Sequence, residues 1–268
     1  MIRLLSIELL KLKPARYFWI LLVLFFVILV GIPIGTYALG SWITNNIMPE
    51  ESPLKDIIPF YDFADIWQNF TFLYQYFTVL LSSLIVINVA QEFSLQTARQ
   101  NVIDGMSRGE FFKGKFLLIL SLAAVVSIVV FLLCLIFGLM YSPVTDTHSM
   151  FMNVEFIGAY FLHLVHDFLF AMLVALLIRR TGIGVVVLIF YGWIEQFGAA
   201  LIEYAAGLPF LASILPNAAT KVLIHSPFNK YALSQTFTYI RWEDMAISLA
   251  WIIILILMNR WIINRRDL

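Results

Sequence analysis

The chain has 268 residues, 62% of them hydrophobic and 16% aromatic, and its 17 Lys and Arg are balanced by 17 Asp and Glu. An apolar share well above the roughly 45–50% of soluble domains excludes a water-soluble fold and leaves no polar stretch long enough for a separate soluble domain. The single cysteine, Cys134, excludes a disulfide framework or a thiolate metal cluster.

At the start of the chain, Ile2, Leu5, Leu9 and Leu12 recur at helical spacing, with Arg3, Glu8 and Lys11 on other faces and Pro14 ending the pattern. The spacing predicts an interfacial amphipathic helix over 2–13, its apolar stripe in the acyl boundary and its basic residues at anionic headgroups. Tyr17 to Leu39 carries no charge and is the first predicted span. Crossing a hydrocarbon core of about 30 Å takes roughly 20 residues of helix, so this run is too long for a signal peptide's apolar region and is expected to be retained. Gly31, Pro33 and Gly35 predict a bend in its outer part, and Thr36 to Asp65 reads as a loop.

Uncharged runs place the second and third spans at about 66–90 and 116–141. Between them, residues 91–115 read as helix, turn and helix. Ser94 to Ile103 has helical character, Gly105 supplies the break, and Ser107 caps a second helix with Glu110 three residues on, as in a capping box. Gly109 to Lys115 also satisfies G-x-x-x-x-G-K. The next residue is Phe116 where Mg²⁺ needs Ser or Thr, and no strand precedes, so the reading is not a nucleotide-binding loop and the chain is not itself an ATP-hydrolysing enzyme.

The fourth span, 156–178, contains His163, His166 and Asp167. The fifth, 183–205, contains Glu195 and Glu203, and the sixth, 245–263, contains Arg260 near its end. A charge at the bilayer centre costs about 2.5–3.5 kcal/mol on insertion scales, which predicts that these polar groups face the bundle interior or a wet cavity. Interhelical hydrogen bonding, a cation or proton pathway, and a metal centre are all open chemically. No H-E-x-x-H pattern accompanies the histidines, and no metal site is assigned. Pro209, Pro216 and Pro227 with short apolar runs such as Leu208 to Leu215 predict a re-entrant outer hairpin before the last helix.

Thirteen of the basic residues fall in, or at the edge of, every second gap: Arg3, Lys11, Lys13 and Arg16; Arg99, Arg108, Lys113 and Lys115; Arg179 and Arg180; Arg260, Arg265 and Arg266. Lys55, Lys221, Lys230 and Arg241 make up the other side. Lys and Arg in short loops stay cytoplasmic, so both termini are predicted inside. The expectation is an all-α membrane protein of six transmembrane helices forming one domain over 1–268, without a nucleic-acid partner.

The 91–115 segment, lying between the second and third of six spans, resembles the cytoplasmic connection of type-2 ABC exporter permeases. The residues that carry the resemblance are Glu92, Thr97, Arg99, Ser107, Arg108 and Lys115. Gln96 stands where that family commonly has Gly, and Gly105-Met106 where a Pro is often found. The resemblance implies a bacterial inner-membrane permease whose coupling helix, Glu92 to Arg108, docks on a separate ATPase. Two such ATPase subunits would bind ATP and Mg²⁺, with no cofactor in this chain, and a second permease copy or paralogue would complete the assembly in lipid. An ATPase-independent ion-coupled carrier or channel using Asp167 and Glu195 is the alternative.

Overall fold

A computed structural model describes residues 2–46, 60–142, 146–205, 207–227 and 239–265. Lys55, Lys230 and Arg266 of the charge count, and much of the predicted loop after the first span, lie outside the described residues. All regular structure among the described residues is helical. Six segments are long and apolar enough to cross a membrane: Arg16–Trp42, Phe63–Ser94, Arg108–Tyr141, His148–Ile178, Thr181–Tyr204 and Trp242–Arg265.

Helix α1, Ile2–Leu12, precedes α2, Arg16–Asn46, which runs unbroken through Pro33 and extends beyond the predicted span into the expected loop. Proline has no N–H to offer the carbonyl four residues back, and that carbonyl, Leu29 O, instead accepts from the buried Tyr74 hydroxyl at 2.7 Å. Tyr61 donates to Pro33 O at 2.6 Å. Repair of this kind from neighbouring helices is what lets proline persist within membrane helices.

The second span is divided. Helix α3, Phe63–Tyr74, meets α4, Thr78–Ser94, through a single tightened turn at Gln75–Phe77. A short helix α5, Thr97–Ile103, then leads to the long α6, Arg108–Tyr141. Helix α7, Thr147–Met150, precedes α8, Glu155–Ile178. Only two residues join α8 to α9, Thr181–Tyr204. Arg179 takes the left-handed conformation at φ 55° to end one helix while Arg180 begins the next.

Helices α10, Pro209–Ser213, and α11, Pro216–Lys221, each open with proline at the first helical position, where its missing donor costs nothing. Helix α12, Trp242–Arg265, closes the described chain.

Helices α4 and α8 form the centre, packing on each other and on α6, α9 and α12. Large aromatic side chains fill the join, with Trp67, Phe70, Tyr160 and Phe168 fully buried. A Cβ at Gly184 would stand 2.8 Å from Val86 Cγ1, so glycine there is what allows α9 to approach α4 this closely. Helices α2, α9 and α12 are peripheral and expose apolar side chains such as Val23, Phe190 and Leu257. An apolar exterior on a bundle of this length is the surface that lipid or another membrane chain covers.

The two ends of the bundle differ. At one end α1, α5, the start of α6 and the end of α12 gather, together with Arg179, whose guanidinium lies 4.8 Å from the Phe93 ring centroid. At the other end α10 and α11 fold against α8, α9 and α12.

Candidate functional site

The basic end is organised by a cluster of four charges taken from three elements. Lys115, in the second turn of α6, is only 1% exposed. Its ammonium donates to Glu8 Oε2 of α1, to Glu92 Oε1 of α4 at 2.8 Å and to Asn88 Oδ1 at 2.7 Å. Lys11 of α1 donates to the same Glu92 oxygen at 2.8 Å and to Glu8 at 3.0 Å. Two carboxylates and two ammonium groups cancel, and all three donors of Lys115 are used.

Burial pushes the Glu8 carboxyl upward, but Lys115 and Lys11 outweigh it and hold the group below its ordinary value. Burial lowers the Lys11 ammonium, while Glu92 and Glu8 outweigh it and raise the group above its ordinary value. Lys11 therefore turns toward the bundle, not toward headgroups as the helical pattern suggested, and Glu8 joins it there. A buried lysine on α6 needs counter-charges more than α1 needs a uniform apolar stripe. Leu12 packs inward beside them, whereas Leu9 and Leu10 stay exposed.

Helix α5 hangs from this cluster. Gln96 adopts φ 58° to end α4 and turn the chain. Thr97 Oγ1 donates back to Glu92 O at 3.3 Å, and Ala98 is buried beneath. Arg99 is exposed, flanked in sequence by the exposed side chains of Leu95 and Ile103. Gly105 at φ 96° then reverses the chain.

Ser107 caps α6: its hydroxyl accepts from Glu110 N at 3.2 Å, and its own N–H donates to Glu110 Oε2 at 2.9 Å, the reciprocal box read from the sequence. Arg108 Nη1 donates to Asn264 O near the end of α12.

The six residues that carry the resemblance thus do not share one surface. Glu92 and Lys115 are interior anchors, Ser107 and Arg108 fix the start of α6, and Thr97 and Arg99 remain on the exposed lever. Residues 109–115 lie inside the α6 helix, with Gly114 against the Glu8 side chain and Lys115 in the cluster.

The intramembrane acids separate into two roles. In α8, Asp167 Oδ2 accepts from Thr78 of α4 at 2.8 Å and lies 3.4 Å from His163 Nε2, while Oδ1 lies 3.2 Å from His166 Nδ1. His163 Nδ1 also reaches Thr220 of α11 at 3.3 Å. Asp167 lines a cavity of 430 Å³, beside the tightened turn of the second span. A second cavity of 300 Å³ adjoins it through Gln75, Tyr76 and Lys221, and Glu195 lines that one.

Glu195 itself is committed elsewhere. Its Oε1 accepts the N–H groups of Asn217 at 2.7 Å and Ala218 at 3.0 Å, the first-turn donors of α11 that proline-led helices leave over. Glu203 is exposed near the end of α9 and lines neither cavity.

Other side chains fasten the same segment. Ser248 donates to Ala219 O and Trp251 to Ile214 O, each at 2.8 Å. Arg241 grips Asp244 through two nitrogens at 2.8 and 3.0 Å. Glu195, Ser248 and His163 lie nine, six and eight residues in from the ends of α9, α12 and α8. At about 1.5 Å per residue, these contacts sit roughly 9–14 Å below those helix ends. The α1 cluster and the division of the second span escaped sequence reasoning. The one available signal for the cluster was four opposite charges at the same end of three apolar helices.

No curated protein matches the chain. A family model described as protein of unknown function, DUF2705, matches residues 56–268, the greater part of the sequence and all of its helices from α3 onward. The chain therefore belongs to the DUF2705 family.

Proposed function

We propose that this chain is the membrane-spanning permease subunit of an ATP-driven ABC transporter of the exporter type, seated in the bacterial inner membrane with both termini cytoplasmic. It pairs with a second copy or a paralogue and with two separate ATPase subunits. The observation that carries this reading is the short helix α5, held by the buried Glu8, Lys11, Glu92 and Lys115 cluster and presenting Arg99 on its free side. A helix anchored in this way transmits a push to α4 and α6, whereas an unstructured loop would absorb it. Helices α10 and α11, fastened below the outer ends of three spans, serve as the re-entrant outer gate, since their backbone groups find protein partners in place of water. The engagement of Glu195 with two backbone N–H groups weighs against an ion-coupled carrier that would need that carboxylate free.

Affinity purification of the tagged chain from native membranes tests the proposal. An ATP-binding-cassette ATPase is expected to accompany the wild type, and Arg99→Glu should reduce its retention at least tenfold without lowering recovery of the permease. Purification without any such ATPase, or full retention by Arg99→Glu, would overturn the assignment.

A further inference from the structure

Lys221 ends the short helix α11 and lines both of the adjoining cavities. Its ammonium lies 5.7 Å from the Tyr76 ring centroid. Tyr76 stands thirteen residues in from the Phe63 end of the second span, about 20 Å along the helix at 1.5 Å per residue. For a hydrocarbon core of about 30 Å, that is inside the membrane. An ionisable side chain at this depth ordinarily pairs with a counter-charge or marks the path of a ligand. Among the described residues no carboxylate lies within ion-pair distance of Lys221, and the Tyr76 ring is its one close electrostatic partner.

The two cavities differ in the charge they present. Asp167 lines the 430 Å³ cavity but not the 300 Å³ one. The acid in the smaller cavity is Glu195, and neither of its oxygens is offered to a ligand. Its Oε1 holds the N–H groups of Asn217 and Ala218, and its Oε2 is enclosed by protein with almost no accessible surface. The charged group with donors to spare is the Lys221 ammonium, which has three. Asn217 stands four residues before it on the same face of α11 and brings side-chain amide donors to the same cavity.

Two helices form the mouth. Phe72 and Tyr76 are one turn apart on the second span, with their rings edge to face at 5.4 Å, and Gly192, Gln196 and Ala199 share one face of α9. Tyr76, 50% exposed, and the exposed Gln196 set the rim, beside the apolar outer side of α9.

We propose that the smaller cavity binds a membrane amphiphile through a single anionic headgroup, a carboxylate or a phosphate, held on the Lys221 ammonium, with the tail leaving between Tyr76 and Gln196 into the lipid. The ligand supplies the counter-charge that the described protein does not. An amine meets Lys221 with the wrong sign, and an alcohol brings no charge. The Asp167 carboxylate keeps an anion out of the larger cavity. A volume of 300 Å³ lies at the lower end of the roughly 300–1,000 Å³ typical of small-molecule pockets and holds a headgroup with the first part of one chain.

The site would name a substrate class for the permease proposed above, but binding is measured on this chain alone and does not require ATPase pairing. A chain that binds the anion without an ATPase, or the reverse, refutes one claim and leaves the other.

The full chain in phosphatidylcholine nanodiscs, at about pH 8.5 so that both headgroups are ionised, is titrated with radiolabelled dodecyl phosphate and, separately, with radiolabelled dodecanoate. Empty nanodiscs are subtracted to remove partitioning into lipid. Saturable binding of one amphiphile per chain is expected from at least one of the two, and which of them binds more tightly identifies the headgroup. Dodecanol and dodecylamine should compete at least tenfold less effectively. Lys221→Gln should weaken binding at least tenfold. Gly192→Leu should do the same, because Gly192 lines the cavity and a Cβ there meets nothing within 4 Å, so the larger side chain occupies the space without disturbing the fold. If Lys221→Gln does not fold, Gly192→Leu decides the matter. Saturable binding of neither anion, dodecanol or dodecylamine competing as well as the anions, or binding that survives Lys221→Gln or Gly192→Leu unchanged, would overturn the site.

Discussion

The cluster around Lys115 and the cluster around Asp167 are both polar groups buried among apolar helices, and they differ in whether they are closed. Around Lys115, two acids and two lysines neutralise one another and the central ammonium has no donor left. Around Asp167, one carboxylate meets a hydroxyl and two imidazoles and lines a cavity. Balanced charge is the mark of a fastening: it fixes α1, α4 and α6 to one another, although Glu92 Oε2 is left without a hydrogen-bond partner. Asp167 carries no such neutralising pair of ammonium groups, and its side chain is 16% exposed against 1% for Lys115.

Removing a charge should therefore damage the first cluster far more than the second. Lys115→Met leaves Glu8 and Glu92 buried without their shared counter-ion, and losing one partner of a buried pair costs about 3–5 kcal/mol. Unfolding in mixed micelles of rising SDS content measures this. The double variant Glu8→Gln with Lys115→Met should recover more than half of the loss, because the remaining Lys11 and Glu92 pair is again balanced. A loss below about 1 kcal/mol for Lys115→Met, the scale of an exposed pair, would break the contrast.

Glu195 lies between these extremes, since one of its two carboxylate oxygens is taken by backbone groups. Glu195→Ala frees two first-turn donors of α11 and should cost about 1–2 kcal/mol, as capping losses do. The effect should be local: amide exchange is expected to quicken across 209–221 while α4 and α8 stay protected. Uniform acceleration through the bundle would mean that the outer segment is part of the central packing and not a separately fastened element.

Acid gives a gentler test of the closed cluster. The Glu8 carboxyl is held below its ordinary value of 4.5, so its contribution is complete above that value and is lost as pH falls through the depressed folded one. The Lys11 ammonium is held above its ordinary 10.5, so its contribution is complete below that value and is lost as pH rises through the raised folded one. The contributions of Glu8 and Lys11 should therefore be indifferent to pH between about 5 and 10. Thermal unfolding of wild type and Glu8→Gln should differ by a constant amount across the neutral range and converge only below about pH 4. Convergence already at pH 6 would place a different group in control.

How much of this was legible in the sequence depended on distance along the chain. The six spans were legible because twenty uncharged residues leave few other outcomes, and the Ser107 cap because its partner stands three positions away. The tightened turn at Gln75–Phe77 left no mark in an uncharged run, although it positions Gln75 and Thr78 at the cavity. Pro33 suggested a bend, but the Tyr74 hydroxyl that serves Leu29 O comes from 45 positions away. Glu8 and Lys115 meet across 107 positions. Helical periodicity assigns a residue to a face but does not say which neighbour that face will meet, and Lys11 was expected at headgroups for that reason.

The smallest expected effect separates the two clusters most cleanly. Gln96 sits between the closed cluster and α5 at φ 58°, a left-handed conformation that costs an ordinary side chain about 1–2 kcal/mol. Gln96→Gly removes that cost and gives back part of it through the greater freedom of the unfolded chain, for a net gain of about 0.5–1 kcal/mol. Unfolding should shift to slightly higher SDS, and amide exchange in α8 around Asp167 should not change, because nothing at the turn reaches the cavity. A gain in stability accompanied by altered exchange around Asp167 would mean that the basic end and the cavity share one conformational equilibrium. The closed cluster would then be the pivot of that motion and not merely an anchor.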